Sequence, residues 1–134
     1  MSRLFSVKGT TLLFHTKLNE GKNIPVGTTT VITNDLDNGV CVRPCNTVRV
    51  VCNNRSTSNT EVTFKFVLNQ KGHTLFPIGE LTLEPGNSGT LVFECPGMGL
   101  DIVCECPAGI GENTVDAYVY GFIPYTVEGQ NCCM

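Results

Sequence analysis

Glu61-Val62-Thr63-Phe64-Lys65-Phe66-Val67-Leu68-Asn69 is the stretch that decides the fold. Val62, Phe64, Phe66 and Leu68 alternate with Thr63, Lys65, Val67 and Asn69, a period of two that sends successive side chains to opposite faces. Residues 61–69 are therefore predicted as a half-buried strand. Val48, Val50 and Cys52 alternate with Arg49, Val51 and Asn53 in the same way. Near the end of the chain, Val115, Ala117, Val119, Gly121 and Ile123 share one face, and Tyr118, Tyr120 and Phe122 share the other. Shorter strands are predicted at 11–18, 28–33, 78–83, 89–94 and 100–106. No stretch of helical apolar spacing competes with them, and β-branched residues dominate throughout.

Turn chemistry separates these strands. Asp37-Asn38-Gly39 and Glu84-Pro85-Gly86-Asn87-Ser88-Gly89 combine residues that accept positive φ with a proline that fixes the first turn position. Asn53-Asn54-Arg55-Ser56-Thr57-Ser58-Asn59 reads as a polar loop between two strong strands. About eight antiparallel strands at this spacing predict an all-β chain, a single β-sandwich or jelly roll. The sandwich is expected over 11–125, with flexible arms at 1–10 and 126–134.

The chain has 134 residues, which fits one domain. Charged residues make up 16% of it, below the usual share of about 25%. A surface poor in Lys and Glu and rich in Thr, Asn, Ser and Gly suits packing against other chains. The net charge of −3 offers no basic footprint for nucleic acid. No apolar run approaches the ~20 residues that span a bilayer, so no membrane insertion is expected. The opening Met1-Ser2-Arg3-Leu4-Phe5-Ser6-Val7-Lys8-Gly9 lacks the apolar core of a signal peptide. The expectation is an exterior protein whose signal peptide was removed before this numbering or which, as Met1 favours, reaches its place without the general secretory route.

Eight cysteines are the outlying number in the composition. An even count at this density points to oxidised, exterior chemistry. A domain of this size does not need four bridges to fold, which leaves some cysteines for other duties. Cys132 and Cys133 sit on a tail with no core-forming pattern. A bridge between adjacent residues would be strained, so each is expected to pair elsewhere. Three outcomes stay open: the tail staples its own domain, it cross-links a neighbouring subunit, or the two thiols form a vicinal redox pair or metal site. Cys41, Cys45, Cys104 and Cys106 are candidates for intradomain or inter-subunit disulfides joining two loops at one end of the sandwich. A zinc site from the same four is the weaker reading, because Cys104-x-Cys106 is tight for tetrahedral ligation. Cys52 and Cys95 occupy strand positions that point inward, as core thiols or as a core disulfide.

Catalytic patterns are missing from the sequence. His15 lies in an apolar strand and His73 in a loop, and neither pairs with a recognisable nucleophile. Asp35, Asp37, Glu61, Glu80 and Asp116 are scattered, and Asp35-Leu36-Asp37-Asn38-Gly39 lacks the ligand spacing of a calcium loop. Neither Gly109-Ile110-Gly111 nor Gly97-Met98-Gly99 leads into a helix that would cradle phosphate. No cofactor and no enzymatic activity are expected.

Residues 48–54, 62–66 and the run Leu83-Glu84-Pro85-Gly86-Asn87-Ser88-Gly89-Thr90-Leu91-Val92-Phe93 resemble the strand, strand, "PGxS", strand pattern of bacterial surface sandwiches. With its size, its opening segment, the Tyr-containing closing strand and a Cys pair on an arm, the chain most resembles the subunits of bacterial endospore appendages. That family carries its Cys-Cys connector at the N-terminus, whereas residues 1–40 here contain no Cys. The resemblance implies a jelly-roll subunit that polymerises with copies of itself into a spore-surface fibre locked by disulfides, with Cys132 and Cys133 as the connector. The alternative is a monomeric β-sandwich module that binds or adheres at a cell, spore or virion surface.

Overall fold

The computed structural model describes residues 4–5, 9–33, 39–69, 76–94, 97, 99–124 and 127–128. In chain order the strands are β1 (Leu4–Phe5), β2 (Gly9–His15), β3 (Lys22–Pro25), β4 (Thr29–Val31), β5 (Val40–Cys41) and β6 (Thr47–Asn54). They continue with β7 (Val62–Asn69), β8 (Phe76–Leu83), β9 (Ser88–Glu94), β10 (Gly99–Glu105), β11 (Glu112–Ile123) and β12 (Val127–Glu128). The chain is all-β, and two packed antiparallel sheets make a β-sandwich.

The first sheet runs β4-β10-β7-β8, with β5 also on β10; the second runs β2-β11-β6-β9, with β3 also on β11. The pairings β7·β8, β6·β9, β10·β4 and β11·β2 nest inside one another. Such nesting is that of one long antiparallel hairpin folded back on itself. Adding β11·β6 and β10·β7 rolls it into the jelly roll. The two longest partners explain the broken edges. β11 pairs with β3 at its start and β2 at its end, and β10 pairs with β5 at its start and β4 at its end.

The period of two places the core as the sequence predicts. Val48, Val50 and Cys52 of β6 meet Val62, Phe64 and Phe66 of β7 in one cluster with Leu100, Ile102 and Cys104 of β10. Val115, Ala117 and Val119 of β11 complete it, and all twelve side chains are fully buried. Burying a Val or Phe of this kind contributes roughly 1.5–3 kcal/mol each. Phe66 and Phe93 hold the two sheets together through a tilted ring contact, 5.7 Å between centroids. Beside it, Gly79 of β8 leaves room for Phe93 and Leu91, and Gly89 of β9 leaves room for Leu81 and Leu83. Each glycine is the socket for side chains of the facing sheet.

The Pro85-Gly86 turn forms as its residue types require. Gly86 has φ +88° and the Asn87 N–H donates to the Glu84 carbonyl at 3.0 Å. Two bulges depart from simple alternation. In β8, Phe66 pairs with Gly79 while Val67 pairs with Pro77, leaving Ile78 unmatched. Val67, expected to face outward, is buried beside this bulge. In β2, Val119 pairs with Phe14 and Tyr120 with Leu12, so Leu13 is the extra residue. Strand 11–18 ends early at His15, and 28–33 is cut to Thr29–Val31, with Val40–Cys41 resuming the same edge. Two residues of each terminal arm pair with one another, Leu4 with Glu128 and Phe5 with Val127.

Candidate functional site

The four sheet edges differ in how they meet solvent. The edge made by β2 and β3 is interrupted by the turn at 18–20, and β3 ends in Pro25. The edge made by β4 and β5 consists of pieces of three and two residues. β8 carries Pro77 and a bulge. Interruption, proline and bulges are the ordinary means of blunting an edge against pairing. β9, Ser-Gly-Thr-Leu-Val-Phe-Glu over 88–94, has none of them, and among the described residues it pairs with β6 alone. Its Val92 is 51% exposed.

The outer faces of the two sheets also differ. On the first, Lys65 pairs with Glu105 at 3.1 Å, and Thr63 and Thr82 share a hydrogen bond of 2.9 Å. On the second, the register aligns Leu12, Tyr120, Arg49 and Val92 across β2, β11, β6 and β9, and beside them Thr10, Phe122, Thr47 and Glu94. Leu12 and Phe122 are 44% and 41% exposed. A cleft of about 450 Å³ opens here, lined by Thr10, Thr47, Arg49, Val51, Tyr120 and Phe122 among others.

One end of the sandwich is tied by polar side chains. Arg55 forks onto Asp116, Nε to Oδ2 and Nη2 to Oδ1, each at 2.8 Å, and Asn53 Nδ2 donates to the same Oδ2 at 3.2 Å. The Arg55 guanidinium therefore holds the Asp116 carboxyl below the usual range. Fully buried Asn113 accepts from the backbone N–H groups of Asn59 and Thr60 at 2.9 Å each, and its Nδ2 donates to Thr60 Oγ1 at 2.7 Å. Asn54 Nδ2 donates to the carbonyls of Thr60 and Leu83. These bonds turn the polar loop after β6 into a fixed element, supplying partners that its backbone lacks in a sheet. In the sequence Asp116 looks like one of several scattered carboxylates; across β6 it stands opposite Asn53, which is what lets Arg55 reach it.

The cysteines fall into different settings. Cys52 and Cys104 face the core from opposite sheets, both fully buried. Burial pushes the Cys52 thiol up to about 12 and raises Cys104 further, so both stay protonated at neutral pH. Cys106, in the loop after β10, is also buried and also raised. Cys45 is buried, its sulfur against Gly121, where any side chain would collide with it. Cys41 of β5 is in a disulfide whose partner lies outside the described residues. Among the described residues no disulfide joins two cysteines. Cys95, Cys132 and Cys133, with Asp35, Asp37 and His73, lie outside the described residues. His15 is exposed at the end of β2, with Nδ1 2.7 Å from the Thr16 carbonyl.

Among the described residues, no three His, Cys, Asp or Glu side chains converge where they could hold a metal. No helix of the described chain is long and apolar enough to cross a membrane. Comparison with known proteins gives no family model, no curated protein and no solved structure that matches this chain.

Proposed function

We propose that this chain is a structural subunit that assembles with copies of itself into an extracellular or spore-surface fibre, in the manner of the endospore appendage subunits it resembles. The observation that supports this is β9, the one long edge among the described residues without a proline, a bulge or an interruption. A strand added there gains main-chain hydrogen bonds with little demand on side chains. A fibre also needs a donor distinct from the acceptor, so that contacts propagate where a two-fold contact would close. The terminal arms are the donors in this reading. Their own pairing is two residues long, and so short a ladder holds few bonds that exchange with a neighbour would lose. Cys132 and Cys133 then lock the joint, in the oxidising exterior where disulfides persist.

The test is assembly followed by negative-stain microscopy across a concentration series, with wild type and Val92→Lys side by side. Fibres from wild type and monomers from the variant are expected, because an edge lysine opposes strand addition. Fibres that form equally well from Val92→Lys would overturn the role of β9. A wild-type protein that stays monomeric at every concentration would overturn assembly itself. It would favour the other reading, a monomeric binding module, for which the aromatic cleft on the second sheet speaks. Non-reducing electrophoresis of wild type and Cys132→Ser/Cys133→Ser reads the lock: loss of the multimer ladder in the variant is expected.

A further inference from the structure

The outer face of the second sheet has a composition that folding does not require. β11 is a central strand, flanked by β2 and β6, and three of its successive outward positions are Tyr118, Tyr120 and Phe122. No layer of the described chain covers them. Positions two apart on a strand lie about 6.8 Å apart, so the three side chains form a row along the strand. Arg49 stands directly opposite Tyr120 on β6 and is exposed. Among the described residues it makes no ion pair and no hydrogen bond, unlike Lys65 on the first sheet or Arg55 at the tied end. Glu94, diagonal to it across β6 and β9, does not reach it as an ion pair.

We infer that the cleft lined by Thr10, Thr47, Arg49, Tyr120 and Phe122 binds an acidic saccharide, a pyranose that carries a carboxylate. Each part of the ligand answers a part of the site. The C–H face of a pyranose ring is apolar and flat enough to lie on aromatic side chains, while its rim of hydroxyls needs hydrogen-bond partners at the edge. Thr10, Thr47 and the Tyr120 hydroxyl supply both donors and acceptors. The guanidinium of Arg49 presents a planar fork that matches a carboxylate with two parallel bonds. A wholly apolar ligand would bury Arg49 without a partner, at a cost that excludes it. A phosphate-rich ligand would find one cation and no cradle of backbone N–H groups, since the strand amides are engaged in the sheet. Uronic and sialic acids share the required chemistry, and only the geometry of the carboxylate separates them.

Calorimetric titration tests the inference with three probes: a galacturonic acid tetramer, sialyllactose, and the neutral glucose tetramer. Tyrosine emission gives a second signal, because the chain has three Tyr and no Trp. Titrating below the concentration at which fibres form, with Val92 left intact beside Arg49, keeps the result independent of assembly. At least one acidic probe is expected to bind saturably and more tightly than the neutral one. Arg49→Gln should weaken the acidic probe by roughly tenfold or more, as loss of a charge-assisted hydrogen bond implies, and leave the neutral one unchanged. Arg49→Lys should recover only part of that loss, Tyr120→Ala should weaken both classes, and Glu94→Gln should strengthen the acidic one. Circular dichroism confirms that each variant retains its sheets. No saturable binding of either acidic probe would overturn the inference. So would equal affinity for acidic and neutral probes, or binding that survives Arg49→Gln. Chemical-shift changes at Arg49 and Tyr120 on concentrating the protein alone would instead assign the face to a second copy of the chain, and would equally overturn it.

Discussion

The two sheets of this sandwich share one core and differ on their outsides. Both contribute alternate residues to the same buried cluster, and within it their strands are chemically alike. Outside, the first sheet pairs Lys65 with Glu105 and Thr63 with Thr82, so its polar groups satisfy one another. The second shows Tyr118, Tyr120, Phe122 and Val92, with an Arg49 among them whose side chain pairs with no described residue. The edges follow the same division: β8 is blunted by Pro77 and a bulge, and β9 is not. The difference teaches that the inner face is set by folding, whereas the outer face is free to be set by what the molecule meets. The row of apolar and aromatic side chains beside an exposed cation belongs to the second sheet, while the first leaves Phe76 exposed at the start of β8.

The largest effect belongs to the core, where the sheets are not independent. Phe64→Ala on β7 removes a fully buried ring and should cost about 3–5 kcal/mol in chemical denaturation. Signals from both sheets should vanish in one transition; separate transitions would show two units where the shared cluster implies one.

A smaller effect belongs to the tied end. Asp116 has its carboxyl held low by Arg55, so its folded value lies below its unfolded one. Stability from this group is therefore full above the unfolded carboxylate value, near 3.9, and declines as pH falls through the folded value. Asp116→Asn should lower the melting temperature by several degrees at neutral pH and flatten the acid limb of the stability curve. An unchanged acid limb would show that Arg55 and Asp116 do not interact in solution.

The smallest effect sharpens the contrast between the outer faces. Lys65→Ala breaks an exposed pair and should change stability by only about 0–1 kcal/mol, with assembly and ligand binding untouched. Val92→Lys is similarly mild for folding, about 0.5 kcal/mol, yet should abolish assembly. If the two substitutions altered assembly alike, the division of labour between the sheets would fail.

Much of this was readable residue by residue. The inward positions of β6, β7 and β11, and the Pro85-Gly86 turn, follow from local alternation and local turn chemistry, because each depends on neighbours one to three residues away. β3 was not readable: Lys22-Asn23-Ile24-Pro25 is short, polar and ends in proline, and it is a strand because the start of β11 lies beside it. The bulges at Ile78 and Leu13 were hidden for the same reason, since a register exists only between two strands. Of the site, Tyr118, Tyr120 and Phe122 could be assigned to a common face. That Arg49 stands opposite Tyr120, and that β9 ends the sheet, could not.

The class of the fold is written in the chain, since a period of two, β-branched residues and turn signals admit strands and little else. The chain also determined which side of each long strand is buried, because solvent and core select for polarity at every other position. Only the tertiary structure decided which strands are neighbours, and hence which edge is left open and which side chains from distant segments share a face. Those are properties of pairings between residues far apart in the chain, and local alternation carries no record of its partner.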